Sequence, residues 1–218
     1  MTDARAAILS RLRATETKAP PPLQDFQILE SRGWSAEEKL QRLRQQMEAV
    51  HTEFLDARGQ DWPTAVQNWL SQEKLPGLIY GPKSTIGAKL SSQWNNGVPL
   101  IPYDRAMEQW KAELFAFEGA GITATRGAIA QTGSLILFTS ADEPRTLSLV
   151  PPVHIALLNV GKIRDTWRQV MQEQAWVNNM PTNLLLISGP SKTADIEQTL
   201  AYGVHGPKRL LVVLTDED

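Results

Sequence analysis

Two stretches of this chain carry residue types that could hold or transform a ligand. The richer one runs from Leu184 to Pro207 and reads LLLISGPSKTADIEQTLAYGVHGP. Its apolar start has the pattern of a buried strand, which enters a turn of Ser188, Gly189, Pro190 and Ser191. The spacing beyond predicts a helix over Thr193 to Ala201 with Asp195 and Glu197 in its first turns. A strand end that meets a helix start gathers backbone N–H groups, the Ser191 and Thr193 hydroxyls and the positive end of the helix dipole, and Lys192 adds charge; such a place suits an anion. The same hydroxyls serve equally well as helix caps, so both readings stand at this point. The Gly-x-x-x-x-Gly-Lys spacing of a Walker loop is absent. The turn Gly203-Val204-His205-Gly206-Pro207 then presents His205 where its ring is reachable for acid–base work, although a structural hydrogen bond is the commoner role of such a residue. Asp195 and Glu197 are the other acid–base candidates, and their ordinary role is to complement a helix dipole.

The second stretch, Ile129 to Pro152, reads IAQTGSLILFTSADEPRTLSLVPP. A polar turn of Gln131, Thr132 and Gly133 feeds an apolar strand, and Arg145 and Ser148 follow in a loop that ends on two prolines. Arg145 has the planar fork that clamps a carboxylate or phosphate in bidentate fashion, with a surface ion pair as its ordinary alternative. Neither stretch contains a Ser-His-Asp order, a metal motif or a Gly-x-Gly-x-x-Gly that would name a reaction. His154, which begins a strand after Pro151-Pro152, reads as structural, and His51 reads as a solvated helix residue.

The elements that must position these residues alternate along the chain. Thr2 to Ala14 reads as a short amphipathic helix, and Ala19-Pro20-Pro21-Pro22 favours an extended linker, so residues 1–24 form an appendage to an α/β domain over 25–218. Ser35 is a helix cap; Leu40, Leu43, Met47, Val50 and Phe54 recur at steps of three and four, predicting one long helix toward Gly59. Asp61 caps a second helix with Pro63 in its first turn. Strand candidates follow at Leu78–Tyr80, Val98–Ile101, Leu135–Phe138, Ile155–Val160, Leu184–Ile187 and Leu210–Leu214, with helical stretches at Arg105–Leu114 and Lys162–Gln174 between them. Gly119 to Gly133 reads as hairpins or tight loops. The alternation predicts a mostly parallel sheet flanked by helices, with ligands at the carboxyl ends of its strands.

Composition narrows the chemistry. The 218 residues carry 22 Lys and Arg against 24 Asp and Glu, a net charge of -2, so no chain-wide field favours nucleic acid or an anionic membrane. No apolar run approaches the length of a membrane span and the N-terminal residues lack a secretory pattern, so the expectation is a cytoplasmic protein. With no cysteine and three scattered histidines, a built-in metal site or iron-sulfur cluster is not expected.

Taken together, Ala130-Gln131-Thr132-Gly133, Arg145 with Ser148-Leu149-Val150-Pro151, the string Ser188 to Glu197 and Gly203-Val204-His205-Gly206-Pro207 resemble the lactate-utilisation protein C family, the LUD-domain proteins. The resemblance is strong over Gly119 to Leu214 and loose before it. It implies a fold like the ribose-5-phosphate isomerase, glucosamine-6-phosphate deaminase and CoA-transferase group. It also implies a part in oxidising L-lactate to pyruvate beside iron-sulfur partner proteins, with no cofactor in this chain. Ligand contacts are then expected from Gln131, Thr132, Gly133, Arg145, Ser148, Ser188, Gly189, Pro190, Ser191, Lys192, Thr193 and Gly206, on an anionic small molecule. The family usually has Glu where this chain has Gln131, and an amide offers neither a nucleophilic carboxylate nor a general base. Two other readings compete: a free-standing enzyme acting on a phosphorylated or CoA-linked small molecule through His205, Asp195 or Glu197, and a non-catalytic ligand-binding or regulatory module.

Overall fold

The computed structural model describes residues 4–14, 30–95, 97–173, 181, 183–194 and 200–216. The chain divides into two units, Met1–Glu30 and Ser31–Asp218. The first contains helix α1 (Ala4–Ala14); the proline-rich linker lies outside the described residues.

In the second unit Ser35 starts helix α2 (Ala36–Glu48) through a capping box: its hydroxyl accepts the Glu38 N–H, and its own N–H donates to the Glu38 carboxylate at 2.8 Å. The helix stops sooner than the apolar spacing predicts. His51 takes φ 68°, in the left-handed region, and the chain turns into strand β1 (Glu53–Asp56), which carries Phe54. His51 therefore sits in a turn rather than on a helix. Asp61 caps α3 (Trp62–Gln72) by accepting the Thr64 N–H at 3.2 Å, with Pro63 in the first turn as expected. Strand β2 (Leu78–Tyr80), helix α4 (Gly87–Gln93), strand β3 (Leu100–Pro102) and helix α5 (Met107–Ala116) follow.

The next segment differs from its sequence reading. Ala120-Gly121-Ile122-Thr123-Ala124 is not loop but strand β4 (Ala120–Ala124), placed between β2 and a later strand in the middle of the sheet. Its small residues, Ala120, Gly121 and Ala124, weaken the strand pattern in the sequence and admit close packing. A Cβ on Gly121 would stand 2.3 Å from the Leu147 carbonyl oxygen and 2.8 Å from the Pro151 ring, so only glycine admits this packing. The expected hairpin is present just after it, as β5 (Gly127–Ile129) and β6 (Ser134–Phe138). Then come α6 (Thr146–Leu149), β7 (Val153–Asn159), β8 (Ile163–Arg164), α7 (Trp167–Glu173), β9 (Leu184–Ile187), β10 (Lys192–Ala194), β11 (Leu200–Tyr202) and β12 (Arg209–Thr215).

The main sheet has six strands in the order β1-β12-β7-β4-β2-β3, every neighbouring pair parallel. A second sheet, β8-β5-β6-β9, holds Leu184–Ile187 antiparallel to β6, so this strand does not join the main sheet. The core explains the continuous apolar runs. Along β12, Leu210, Val212 and Leu214 face Leu40, Leu43 and Met47 of α2 together with the second sheet, while Leu211 and Val213 face Trp62, Val66 and Leu70 of α3. A strand covered on both faces needs no polar alternation. Trp110, Leu114 and Leu147 close over Ile79, and Val170 of α7 covers the outer side of the second sheet. At about 1.5–3 kcal/mol per fully buried large side chain, these layers hold the strand ends that carry the sites in register.

Candidate functional site

The chain steps from β2 outward to β3 and then back past β2 to β4, β7 and β12, so the crevice beyond the carboxyl ends of β2 and β4 is the topological switch point of the sheet. A cleft of about 680 Å³ opens there, within the size range of small-molecule sites. Its walls come from the segments that leave consecutive strands: Lys83, Ser84, Thr85 and Ile86 after β2, Thr125 and Arg126 after β4, Asn159 and Lys162 after β7, Thr215 at the end of β12, and Trp62 at the start of α3. Thr139, Ser140, Asp142 and Glu143, after β6, complete it. Two close approaches fix these loops. A Cβ on Gly81 would lie 1.9 Å from the Asp142 carbonyl oxygen, so the β2 loop packs directly on the acidic loop, and within the β2 loop the Ser84 hydroxyl donates back to the Gly81 carbonyl at 2.8 Å. The Ser140 hydroxyl accepts the N–H groups of Asp142 and Glu143 at 3.1 and 3.0 Å, which shapes the acidic turn.

Glu143 is the distinctive group of this cleft. Its carboxyl receives the Ala124 N–H at 3.3 Å, and burial pushes its pKa from 4.5 up to about 7 against the lowering pull of that N–H, the Ser84 hydroxyl and Arg126. A carboxyl poised near neutrality in a cleft can give or take a proton at working pH. Arg126, Lys83 and Lys162 bring positive charge to the same walls, and the Arg126 guanidinium lies 5.2 Å from the Phe138 ring centroid, which orients it along one side.

The sequence-predicted residues gather elsewhere. Ser148, Ser188, Gly189, Pro190, Ser191, His205 and Gly206 line a depression of about 210 Å³ with His154 and Leu210. It lies at the amino ends of β7 and β12, not at the carboxyl edge where these residues were expected. Where the sequence predicts a helix start at Thr193 there is a strand: Lys192 and Thr193 belong to β10, paired antiparallel with β11, so among the described residues no helix begins at the Ser188 turn. The Ser191 N–H is already donated to the Pro207 carbonyl at 2.9 Å. Asp195 and Glu197 lie outside the described residues. Arg145 is exposed at the start of α6, where its carbonyl accepts the Ser148 hydroxyl, and it lines neither depression. The Gln131 turn does approach the Ser188 turn, because Ser134 bridges Thr132 at 2.9 Å and Ser188 at 2.8 Å, while the Gln131 N–H donates to the Asp165 carbonyl at 3.0 Å. His154 is buried, lies 2.9 Å from the Thr123 hydroxyl, and is held neutral by burial with its pKa near 3, which fits the structural role read from sequence. Among the described residues no lysine or arginine lines this smaller depression, and no group of acidic and histidine side chains is arranged to hold a metal.

Sequence reasoning missed the larger cleft because no motif marks it. The available signal was positional: Lys83 and Lys162 lie just beyond strands that the apolar pattern had identified, at the end where parallel sheets bind ligands.

Comparison with known proteins gives the same architecture. A DUF162 family protein from Deinococcus radiodurans superposes with a TM-score of 0.62 at 24% identity, covering 84% of this chain and 99% of that one, a likeness of fold. An uncharacterized protein of Neisseria meningitidis serogroup B is 35% identical over 96% of this chain and 92% of its own length. Lactate utilization protein C of Bacillus subtilis is 28% identical over 97% and 93%, and the protein of that name from Shouchella clausii is 29% identical over 96% and 93%. The family model for the LUD domain matches residues 40–215, from the first buried leucine of α2 to the last residue of β12, and the chain belongs to the LUD-domain family.

Proposed function

We propose that this chain is the cluster-free component of an L-lactate utilisation system that oxidises L-lactate to pyruvate with iron-sulfur partner proteins. The observation that carries the reading is the end-to-end similarity to Lactate utilization protein C of Bacillus subtilis, which leaves little of either chain unmatched. A chain without cysteine has no thiolate for an iron-sulfur cluster, so in this reading the electron carriers are separate cytoplasmic proteins. This component contributes recognition of a small anion. Its support is the cleft at the switch point, where three cationic side chains and a near-neutral carboxyl line one space of suitable size. The Ser188–Ser191 turn, with His205 and Gly206, is a second place for an anion; the exposure of Ser188 supports that role, and the lack of lysine and arginine among its described lining residues ranks it below the cleft. Kinship with the ribose-5-phosphate isomerase and CoA-transferase group belongs to the same reading, supported by the parallel sheet.

The test is a deletion of the gene in its host, followed by growth on L-lactate and on glucose as sole carbon sources. Loss of growth on L-lactate alone, restored by the intact gene, is the expected result. Equal growth on both sources would remove the lactate assignment.

A further inference from the structure

The carboxyl-edge cleft is built for something larger and more highly charged than lactate. A three-carbon acid would leave most of its roughly 680 Å³ to solvent, and a single carboxylate needs one cationic partner rather than three. Lys83, Arg126 and Lys162 share its lining with Asp142 and Glu143, and with Glu143 partly protonated near neutral pH the lining keeps a positive surplus. Thr85 sets a hydroxyl group beside Lys83, and Trp62, Ile86 and Leu157 form an apolar wall. Charge, a hydroxyl group and an apolar wall together match a phosphate ester with an organic body.

We propose that this cleft binds a phosphorylated small molecule, its phosphate held by Lys83, Arg126 and Lys162, its organic body against Trp62, Ile86 and Leu157, and the Glu143 carboxyl facing it. The proposal goes beyond the pathway assignment and stands or falls separately from it. Glu143 lies among Arg126 from the β4–β5 turn, Asp142 of its own loop and Ser84 of the β2 loop. Beside a phosphate it acts as a hydrogen-bond donor in its protonated form, because two anions would repel. A glutamine at this position keeps a donor and an acceptor and removes the charge.

Calorimetry on the purified full chain with glucose 6-phosphate, inorganic pyrophosphate and L-lactate tests this. The expected result is binding of at least one phosphorylated probe. Arg126→Ala and Lys162→Ala should each weaken it about tenfold, the loss of one charge-assisted contact. Arg126→Lys should recover part of that loss and Glu143→Gln should bind at least as well as the parent. Arg44→Ala, which removes an exposed ion pair with Glu48, should change nothing. Absence of binding by both phosphorylated probes at millimolar concentration, or an equal loss in Arg44→Ala, overturns the proposal. Tighter binding of L-lactate than of either phosphorylated probe also overturns it while leaving the lactate assignment intact. Circular dichroism on each variant separates lost binding from lost folding.

Discussion

Glu143→Gln should stabilise the protein, and the gain should depend on pH. In the folded chain burial holds the Glu143 carboxyl to about 7, whereas in the unfolded chain it returns to its ordinary 4.5. The folded state therefore binds the proton more tightly, and between these two values native stability falls as pH rises, because folding forces a carboxylate into a place that disfavours its charge. The displacement corresponds to about 3 kcal/mol at full development, and the openness of the cleft to solvent reduces this to about 1.5–3 kcal/mol. Glutamine keeps an oxygen for the Ala124 N–H and carries no charge. Below about pH 4.5 the two proteins should thus be equally stable. The variant should gain through the interval and stand above the parent by the full amount at pH 8, a rise in Tm of several degrees for a domain of this size. Urea unfolding at a series of pH values measures this directly. A difference that stays constant across the series, or a variant less stable at pH 8, would refute the assignment of a raised carboxyl at this position.

Asp165→Asn should cost about 2–3 kcal/mol, because the carboxylate accepts the Ser31 hydroxyl at 2.8 Å and the Arg32 N–H at 2.7 Å and pairs with Lys39 at 3.5 Å. Burial opposes its charge, yet these partners hold its pKa below 3.8, so the stabilisation is present above that value and fades as pH falls through the lowered one; chemical denaturation at pH 7 and pH 3 checks both sides. Gly121→Ala should destabilise by more than about 3 kcal/mol or abolish soluble expression, since the added methyl meets the Leu147 carbonyl, and an unchanged Tm would contradict the packing. Met47→Ala, at a fully buried position between α2 and the sheets, should cost about 2–5 kcal/mol in equilibrium unfolding.

Local signals in this sequence are reliable where the determinant is local. Ser35 with Glu38, and Asp61 with Pro63, specify their helix starts through side chains a turn apart, and both are observed. The apolar runs over Leu135–Phe138, Ile155–Val160 and Leu210–Leu214 fall on strands, the second ending at Asn159, because burial on both faces removes polar alternation; Leu184–Ile187 is also a strand, although it is only half-buried and Leu186 is exposed. The failures occur where tertiary partners decide. Glu53–Asp56 becomes a strand by pairing with β12, more than a hundred residues away, although the spacing of Val50 and Phe54 continues that of α2. Ala120–Ala124 carries branched residues only at Ile122 and Thr123, and Gly121 interrupts its strand pattern because α6 presses too closely there to allow a side chain. The stretch after Ser191 is rich in helix formers, yet Lys192–Ala194 pairs with Leu200–Tyr202. The cleft was illegible for a related reason: Lys83, Arg126, Glu143 and Lys162 leave four different strands, and only the sheet order brings them together.

The residues that carry the family resemblance and the residues that line the cleft occupy opposite ends of the same strands, and this separates two kinds of effect. At the amino end the motif residues hold one another. Ser134 joins the Thr132 turn to Ser188; Gly133, at φ 61°, brings the turn so near α2 that a Cβ would stand 2.4 Å from Gln46 Cβ; Gly206 packs against Ser191. At the carboxyl end Lys162 contributes charge to an open wall. Ser134→Ala should therefore lower stability by about 1–2 kcal/mol, the loss of one bridging hydroxyl in a buried position, and leave the affinity for a phosphorylated probe unchanged. Lys162→Ala should do the reverse, keeping the unfolding midpoint and losing affinity. Unfolding and calorimetry on the two variants give four numbers, and the expected pattern is crossed. If Ser134→Ala weakened ligand binding without loss of stability, the Ser188 turn rather than the switch-point cleft would be the ligand site, and the assignment of the two ends would have to be exchanged.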